Sequence, residues 1–431
     1  MEAQLGCARD AMGYLSRTDN AIFEKGRRSL DNTAIIFPSV ATLDDPHVYR
    51  VTSILHDNVD PVLLQQSLND ILPYFEAFCV RMTRDTYWRR FEKSHALPAI
   101  KRDKGDFCRH FDQAHGGQPL FRTLYSGNSI HLEVFHSLTD GIGAMRFLKA
   151  LTYRYCQLAY SHELHRDHCF SLFGLEHAAT LVDGYAYSHQ FPKEECISKV
   201  ETEKTSYQLK GDLLASGLSR VQTEKIPVEV LKSSSKRHGV TLGVYLTAAI
   251  AYAIHEDFGI PRGETIGICV PVNLRPIFKI DTSLNFFSTV IVQVPHHCLC
   301  SFESALLETQ RQFSLKTTKE RLQKSISDTV RMENSRLAQM VPLGIKDPVL
   351  KLVYQHIKKR RTTTFSNLGN LSVKEAFKPF FKGFSAVGST SSNEPVRLAA
   401  CSYNGELSLS CISKLKNDDI MGRLLKRLWD S

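Results

Sequence analysis

Residues Ser129–Ala150 have the sequence SIHLEVFHSLTDGIGAMRFLKA, which contains two structural signals in succession. Up to Phe135, interleaved apolar and polar side chains are typical of a short β-strand. From Asp140 onward, apolar residues recur at three- and four-residue spacing, which predicts an amphipathic helix. His136 therefore lies just after a strand, and Asp140-Gly141 begins a helix four residues later. Such a junction holds a side chain rigidly while leaving it reachable by a substrate.

The histidine at this junction, His136, is the candidate catalytic group, because an imidazole can act as a general base near neutral pH. We expect the carboxylate of Asp140, one turn further on, to fix the local backbone. We expect Gly141 to keep space free beside the imidazole. The alternative is a histidine whose contacts serve only the structure.

A second His-x-x-x-Asp pair, His56 and Asp60, has the same spacing and offers an internal comparison. Here Pro61 follows the aspartate, whereas a glycine follows the aspartate of the first pair. Proline suits the first position of a helix that an aspartate caps, so this second pair predicts a helix start without a function. The glycine and the strand-to-helix context favour His136 as the functional histidine.

The motif FHSLTDG (135–141) resembles the HHxxxDG motif of the chloramphenicol acetyltransferase-like superfamily. That group includes carnitine, alcohol and plant acyltransferases, wax ester synthases and the condensation domains of nonribosomal peptide synthetases. Phe135 stands where condensation domains have the first histidine, but the second histidine is the catalytic one in that family. The resemblance therefore implies that His136 is catalytic, and Phe135 favours the stand-alone acyltransferases over peptide condensation.

Three motifs of the second half match the same resemblance in order and approximate spacing. PVNLRP (271–276) is similar to the Pro-x-Asp/Asn-Leu-Arg loop of wax synthase-like and alcohol acyltransferase-like members. NFFS (285–288) is similar to their Asn-Phe-Phe-Gly strand, with Ser288 in place of the glycine. TFSNLG (364–369) is similar to the Ser-Asn turn near the substrate tunnel. Together with the first motif, these stretches span most of the chain.

The resemblance also assigns roles to residues of these motifs. It implies that Asp140 faces inward and pairs with Arg275, and a buried carboxylate does need such a partner. The alternative makes Arg275 a surface loop residue. Ser366 and Asn367 could donate hydrogen bonds to an oxyanion, or simply form a turn at a strand end. Asn285 is placed with them along the predicted tunnel.

Length and composition limit the class of protein. The 431 residues suit two domains of about 200 residues each. Hydrophobic content of 42% and charged content of 23% are ordinary for a soluble globular protein. No apolar run approaches the roughly 18 residues of a membrane span, and the N-terminus has no secretory signal. Eleven cysteines without a framework spacing indicate reduced thiols, so we predict a cytoplasmic protein without a transmembrane segment.

A net charge of +9 is compatible with an anionic thioester substrate. Basic residues are spread along the chain, so we predict no nucleic-acid partner. The dense run at 358–361 is predicted to be a solvated helix end, with a phosphate contact as the alternative. Two histidine and cysteine clusters match no structural zinc pattern, so we predict no metal; they are His162, His165, His168, Cys169 and His296, His297, Cys298, Cys300.

The order of the predicted elements gives an α/β fold. By resemblance, it consists of two chloramphenicol acetyltransferase-like α/β sandwich subdomains with the active site in a tunnel between them. We divide the chain into an N-terminal subdomain (1–170), a linker (171–205) and a C-terminal subdomain (206–431). Local predictions include an apolar strand at 35–37 ending at Pro38, helix breaks near Pro342 and Pro348, and a hairpin at Asn404-Gly405.

The predicted function is transfer of an acyl group from an acyl-coenzyme A thioester to a small alcohol or amine, with His136 as general base. No acyl-enzyme is required, because both substrates are held in one site. By resemblance coenzyme A is a co-substrate, and no bound cofactor is expected. The alternatives are a carrier-protein-dependent acyltransferase or condensation enzyme and a non-catalytic binding relative. A Ser-His-Asp hydrolase is disfavoured because the chain has no Gly-x-Ser-x-Gly motif.

Overall fold

Two large β-sheets and the helices packed on them make up most of the computed structural model. It describes residues 26–31, 33–112, 117–164, 181–188, 203–333, 335 and 340–429. The strands are β1 (Arg27–Ser29), β2 (Val48–Leu55), β3 (Val80–Arg84), β4 (Arg89–Lys93), β5 (Lys101–Arg102), β6 (Phe121–Ser126), β7 (Ser129–Phe135), β8 (Arg220–Pro227), β9 (Thr265–Asn273), β10 (Phe287–Pro295), β11 (Thr363–Asn370), β12 (Phe381–Gly388), β13 (Val396–Tyr403) and β14 (Glu406–Ser413).

The α-helices of the described residues alternate with these strands, as the sequence predicts. They are α1 (Ile36–Val40), α2 (Pro61–Ile71), α3 (Gly141–Ala159), α4 (Gly184–Ser188), α5 (Val228–Arg237), α6 (Leu242–Phe258), α7 (Arg275–Phe278), α8 (Phe302–Lys316), α9 (Lys319–Glu333), α10 (Leu343–Lys358) and α11 (Ile420–Trp429). None of them combines the length and the apolar character needed to cross a bilayer.

The strands form three sheets. The first large sheet has the order β12-β2-β7-β6-β5, the second has the order β10-β9-β11-β13-β14-β8, and a small third sheet has the order β1-β4-β3. Each large sheet contributes to a separate hydrophobic core. Helices α2 and α3 contribute to the first core, and helices α6, α8 and α11 contribute to the second. This is the predicted α/β architecture of two subdomains.

Strand β12 connects the two halves of the chain. It comes from the second half but pairs with β2 in the first sheet, where Phe384 lies opposite Ser53. The first core likewise takes Phe377 and Tyr403 from the second half. The subdomains are therefore not separate in sequence. The boundary proposed at residues 171–205 stays a prediction, because most of that stretch lies outside the described residues.

The stretch that carries the candidate histidine folds as predicted. Strand β7 ends at Phe135, and helix α3 begins at Gly141 with Asp140 as its N-cap. The polar residues of β7 are buried as well, which simple strand alternation does not predict. Glu133 is one of them: it is 1% exposed and accepts a hydrogen bond from Arg50 Nη2 at 2.8 Å. Both faces of this strand are therefore covered.

Two local predictions were wrong. The apolar run at 35–37 belongs to a turn and the short helix α1, where Pro38 lies in the first helical turn and is tolerated. Helix α10 continues through Pro348, and its preceding residue Asp347 accepts hydrogen bonds from Ser39 and Arg89. These tertiary contacts hold a helix that the proline weakens by one hydrogen bond.

The hairpin at Asn404-Gly405 is confirmed. Strands β13 and β14 pair in antiparallel fashion, with Tyr403 opposite Glu406. Asn404 has φ of 49° and Gly405 has φ of 81°, so both residues occupy the left-handed region. A two-residue hairpin turn with two positive φ angles favours Asn-Gly, because the twist of that turn matches the twist of the strands.

Candidate active site

His136 lies where the two sheets meet. Its backbone N–H donates to the carbonyl oxygen of His47 at 3.0 Å, which holds the residue at the end of β7. Its ring stacks on Phe37 of α1, with centroids 4.5 Å apart, and contacts Tyr49 of β2 edge-on at 5.0 Å. Phe287 of β10, from the other sheet, lies 5.4 Å away. The imidazole is thus flanked by aromatic rings from both sheets and stays partly exposed.

This environment keeps the imidazole neutral. Burial lowers the pKa of His136 below 6.5, and it outweighs three influences that raise this pKa: its own backbone, the charge of Asp140 and the side chain of Asn285. Of the two ring nitrogens, Nδ1 is the one that can reach the carbonyl oxygen of its own residue. A proton on Nδ1 leaves a lone pair on Nε2, and that is the form a general base requires.

Asp140 and Arg275 form a buried ion pair between the subdomains. Arg275 Nη1 donates to Asp140 Oδ2 at 2.8 Å and Nη2 donates to Oδ1 at 3.0 Å, with both side chains 7% exposed. Burial alone would raise the pKa of Asp140, but the charge and hydrogen bonds of Arg275 outweigh it and lower that pKa. The family resemblance implied this pair, and the structure brings the two side chains into bidentate contact.

The same carboxylate also holds two backbone segments. Asp140 Oδ1 accepts hydrogen bonds from the N–H groups of Ile142 at 3.1 Å and Gly143 at 3.0 Å, which caps helix α3. Its Oδ2 accepts from the N–H of Phe286 at 2.9 Å, just before strand β10. Every oxygen of Asp140 is therefore occupied. Its role is to fix the helix start beside His136 and to join the two halves.

The glycine after the aspartate has a different role from the one expected. A Cβ atom on Gly141 would lie 2.6 Å from Leu368 Cδ2 of strand β11, so Gly141 makes room for the second sheet and not for the imidazole. Gly143 is the more restricted position. A Cβ atom there would overlap Thr139 Oγ1 and lie 2.5 Å from the backbone oxygen of Ser283. The sequence analysis missed Gly143.

Asn285 does not lie in a position to stabilise an oxyanion. Its side chain is fully buried, and its Nδ2 donates to Asp31 Oδ2 at 3.2 Å and to the carbonyl oxygen of Ser137 at 3.4 Å. Both amide hydrogens are thereby engaged. These contacts leave no amide hydrogen of Asn285 for an oxyanion, and its place along the predicted tunnel stays a prediction. Strand β10 also begins two residues later, at Phe287.

The turn predicted at 366–369 is a continuation of strand β11 with a register shift after Asn367. Ser366 pairs with Ala399, which belongs to the first core, so the Ser366 face of the strand is directed toward the first subdomain. Successive residues of a strand point to opposite faces. Asn367 therefore shares the face of Phe365, which is buried in the second core. Asn367 Oδ1 accepts from the N–H of Gly369 at 2.9 Å and shapes the irregularity.

A buried charge cluster replaces the predicted solvated helix end. Lys358 is 7% exposed, and its Nζ donates to Asp45 Oδ2 at 2.7 Å. Arg361 forms an ion pair with Glu394 at 3.1 Å, with side-chain exposures of 12% and 1%. The prediction of a solvated run was wrong for these two cations, because the helix end points inward and meets carboxylates there. Of the run, Lys359 alone is exposed, while Arg360 is half-buried.

Three residues near His136 escaped the sequence analysis. They are Asp31 and Phe37, from a region whose pattern is mixed, and Tyr49, from a stretch that predicts a strand without indicating a contact to His136. An aspartate ahead of the apolar run in DNTAIIF (31–37) is an ordinary turn signal, and Asp31 Oδ1 does accept from the N–H of Ala34 at 2.9 Å, in the turn before helix α1. Nothing in the spacing indicates that this segment packs on a histidine about one hundred residues later.

The histidine and cysteine clusters were also examined for metal ligation. Within the described ranges, no group of three or more histidine, cysteine or acidic side chains is arranged to hold a metal ion. His296–Cys298 form a single 3-10 turn after strand β10. His165, His168 and Cys169 lie outside the described residues.

No family model matches the chain, and no curated protein matches its sequence. Similar solved structures exist. A wax ester synthase/diacylglycerol acyltransferase from Marinobacter aquaeolei superposes with a TM-score of 0.56 at 13% identity, covering 93% of this chain and 98% of that one. The trichothecene 15-O-acetyltransferase of Fusarium sporotrichioides gives a TM-score of 0.55 at 13% identity, covering 94% of both chains.

A starter condensation domain of rhizomide synthetase, a mutant in complex with C8-CoA, also gives a TM-score of 0.55 at 13% identity, covering 94% of both chains. These likenesses extend over nearly the whole chain, so they define the architecture. The chain therefore has the same overall fold as these wax synthase, acetyltransferase and condensation-domain structures. The fold that FHSLTDG implied is confirmed.

Proposed function

We propose that the protein is an acyltransferase that moves an acyl group from a thioester to a hydroxyl or amine, with His136 as general base. The observation that carries this proposal is the neutral imidazole at the junction of the two sheets, with its pKa lowered by burial. A base that stays unprotonated below neutral pH can accept a proton from an acceptor substrate. The names of two structural neighbours, an acyltransferase and an acetyltransferase, support this class of reaction.

The reaction needs one proton acceptor and no covalent intermediate on the protein. Nε2 of His136 takes the proton of the acceptor hydroxyl or amine as its oxygen or nitrogen attacks the thioester carbonyl carbon. The new bond forms a tetrahedral oxyanion, which collapses as the carbon–sulfur bond breaks. The leaving thiolate takes the proton back from the imidazolium. Holding both substrates in one site supplies the proximity for this direct transfer.

We assign Ser366 as the candidate donor to the oxyanion. Its face of β11 is directed toward the first subdomain, and Leu368 on the same strand reaches the start of helix α3. A hydroxyl at this position can donate a hydrogen bond to a developing negative charge. Asn367 is left out of this role because it shares the face of a residue in the second core.

The proposed donor is an acyl-coenzyme A, which acts as a co-substrate. The rhizomide condensation domain, whose structure contains C8-CoA, shares the fold. The net charge of +9 is compatible with an anionic thioester. A small-molecule alcohol or amine is the proposed acceptor. Location in the cytoplasm and the lack of a nucleic-acid partner stay predictions.

The second candidate is an enzyme whose thioester is carried on a protein. Its support is the condensation domain among the structural neighbours. Phe135 occupies the position where condensation domains have a histidine, and its side chain is fully buried in the first core. A buried phenylalanine there contributes packing in place of a polar group, which favours the first candidate.

The test measures thiol release from a panel of acyl-coenzyme A donors with mixed alcohols and amines, and identifies the acylated product by mass spectrometry. Release that depends on the acceptor and disappears in His136→Ala supports the proposal. Acceptor-independent release indicates thioester hydrolysis and counts against transfer. The same panel on acyl carrier proteins distinguishes the second candidate, because that enzyme transfers from the carrier and leaves coenzyme A thioesters intact.

A further inference from the structure

The orientation of the Asn285 side chain is fixed by its neighbours. Its Nδ2 lies 3.2 Å from Asp31 Oδ2 and 3.4 Å from the carbonyl oxygen of Ser137. Both of these atoms are hydrogen-bond acceptors, so the amide nitrogen must face them and the amide oxygen must face the other way. Asp31 and the carbonyl group of Ser137 thus determine the orientation of the Asn285 amide.

The amide oxygen and the histidine ring present complementary atoms. Among the described residues, Asn285 Oδ1 and His136 Nδ1 are both buried and have no partner at full hydrogen-bonding geometry. The Asn285 side chain nevertheless raises the pKa of His136, as an oxygen acceptor beside a ring N–H does. Catalytic hydrogen bonds are often long before substrate binds, so an unpaired oxygen and an unpaired ring nitrogen here are compatible with such a bond.

We propose that Asn285, held by Asp31, is a positioning residue that keeps the proton of His136 on Nδ1 and the lone pair on Nε2. This inference rests on the proposed function, in which His136 is the base. A base oriented by a third group is the general arrangement of activated catalytic groups, and loss of the correct tautomer is costly there. Asp31 acts through Asn285 and touches neither the ring nor the substrate.

The energetics of Asp31 support a functional role. Burial raises its pKa from 3.8 to about 7, and the charge of Asp183 adds to this; the N–H of Ala34, Arg28 and Asn285 only partly offset it. Because the folded-state pKa exceeds the unfolded one, the folded protein binds the extra proton between about pH 4 and pH 7. The contribution of Asp31 to stability therefore falls as pH rises through that range. A residue that costs stability at neutral pH is expected at functional sites.

The experiment compares Asp31→Asn and Asn285→Ala with the wild type. An asparagine at position 31 keeps an oxygen that can accept the hydrogen bond from the N–H of Ala34. Its amide nitrogen can turn toward Asn285, and the Asn285 amide then loses its fixed orientation or flips. Asp418→Asn is the matched control. Its carboxylate is also little exposed, at 4%, but pairs with Arg220 at the outer edge of the second sheet.

The direct readout is the tautomer of His136, measured by NMR on protein labelled with ¹⁵N-histidine. The His136→Ala spectrum identifies the ring, because its resonances vanish there. We expect the wild type and Asp418→Asn to hold the proton on Nδ1, and both test variants to lose that preference. An unchanged tautomer in both test variants overturns the proposal, whatever the activity of the protein is.

Three further measurements separate positioning from a merely structural role. In Asp31→Asn and Asn285→Ala, we expect kcat for thiol release to fall roughly 10- to 100-fold with little change in KM. This loss is a part of the roughly 10²–10⁴-fold rate enhancement that a positioned general base contributes. The acid limb of the pH–rate profile should move to lower pH in Asn285→Ala, because a group that raises the pKa of His136 is removed. The melting temperature of Asp31→Asn at pH 8 should equal or exceed that of the wild type.

The outcomes also separate this inference from the proposed function. A wild type that transfers no acyl group contradicts the proposed function, while the NMR comparison still tests the positioning of His136. If Asn285→Ala fails to fold, Asp31→Asn carries the test alone. A lower melting temperature together with an unchanged tautomer in that variant assigns Asp31 to structure and contradicts the proposal.

Discussion

The chain contains the spacing His-x-x-x-Asp twice, at His56–Asp60 and at His136–Asp140, and both copies begin a helix. Asp60 Oδ1 accepts from the N–H of Val62 at 2.7 Å, and Asp140 Oδ1 accepts from the corresponding N–H of Ile142 at 3.1 Å. The local geometry of the two caps is the same. It arises from the backbone groups that every helix N-terminus leaves unpaired.

The two copies differ in everything beyond the cap. His56 is exposed, whereas His136 is only partly exposed and contacts aromatic rings from both sheets. The second oxygen of Asp140 bonds to Arg275, 135 residues away in sequence. Spacing alone therefore specifies a helix start, and long-range partners turn one of the two starts into a candidate site. Matched substitutions in the two copies can test this distinction.

The largest effect is expected from removing the two histidines. His136→Ala should reduce acyl transfer by roughly 10²–10⁴-fold, because a general base contributes that much. His56→Ala should leave the rate unchanged, since its side chain is exposed. Thiol release at saturating substrate measures both variants. Equal losses of acyl transfer in the two variants would contradict the functional distinction between the two His-x-x-x-Asp pairs.

The second prediction separates the stability that comes from helix capping from the stability that comes from the ion pair. Asparagine caps a helix about as well as aspartate, so Asp60→Asn should change the free energy of unfolding by less than about 0.5 kcal/mol. Asp140→Asn keeps the cap but leaves the Arg275 guanidinium buried without its counter-charge, which should cost about 3–5 kcal/mol. Denaturant unfolding at pH 7 measures both. A similar, small change in both variants contradicts the structural role of the pair.

The smallest of these effects concerns the glycines behind Asp140. Gly143→Ala should destabilise the protein by about 1–3 kcal/mol, because its Cβ meets the backbone oxygen of Ser283. Gly141→Ala meets only the flexible end of Leu368, so its cost should stay below about 1 kcal/mol. Thermal melts of the two variants decide the order. A larger loss of stability in Gly141→Ala than in Gly143→Ala would contradict this account, because it would mean that the tighter contact lies at Gly141.

The sequence predicts the fold where its signals are local or where its motifs resemble a family. The strand before His136, the helix after Asp140 and the Asn404-Gly405 hairpin follow from periodicity and turn chemistry. Four motifs in order imply the two-subdomain fold. The contact between Asp140 and Arg275 was expected from the family resemblance and from the need of a buried charge for a partner.

The remainder depends on tertiary packing that no local pattern contains. Strand β12 crosses into the first sheet, and Lys358 turns inward because Asp45 lies there to receive it. Asp31 comes next to Asn285 although 254 residues separate them. The sequence supplied the type of each side chain, and the fold determines which face of a strand or helix meets which partner.

The most direct test of the central role of His136 is the pH dependence of kcat/KM for thiol release. Burial lowers the pKa of His136 below 6.5, so the neutral base persists below that pH and the acid limb of the profile should lie there. The limb should be absent from the residual activity of His136→Ala. An acid limb above pH 6.5, or one that stays in place in His136→Ala, would show that another group provides the base.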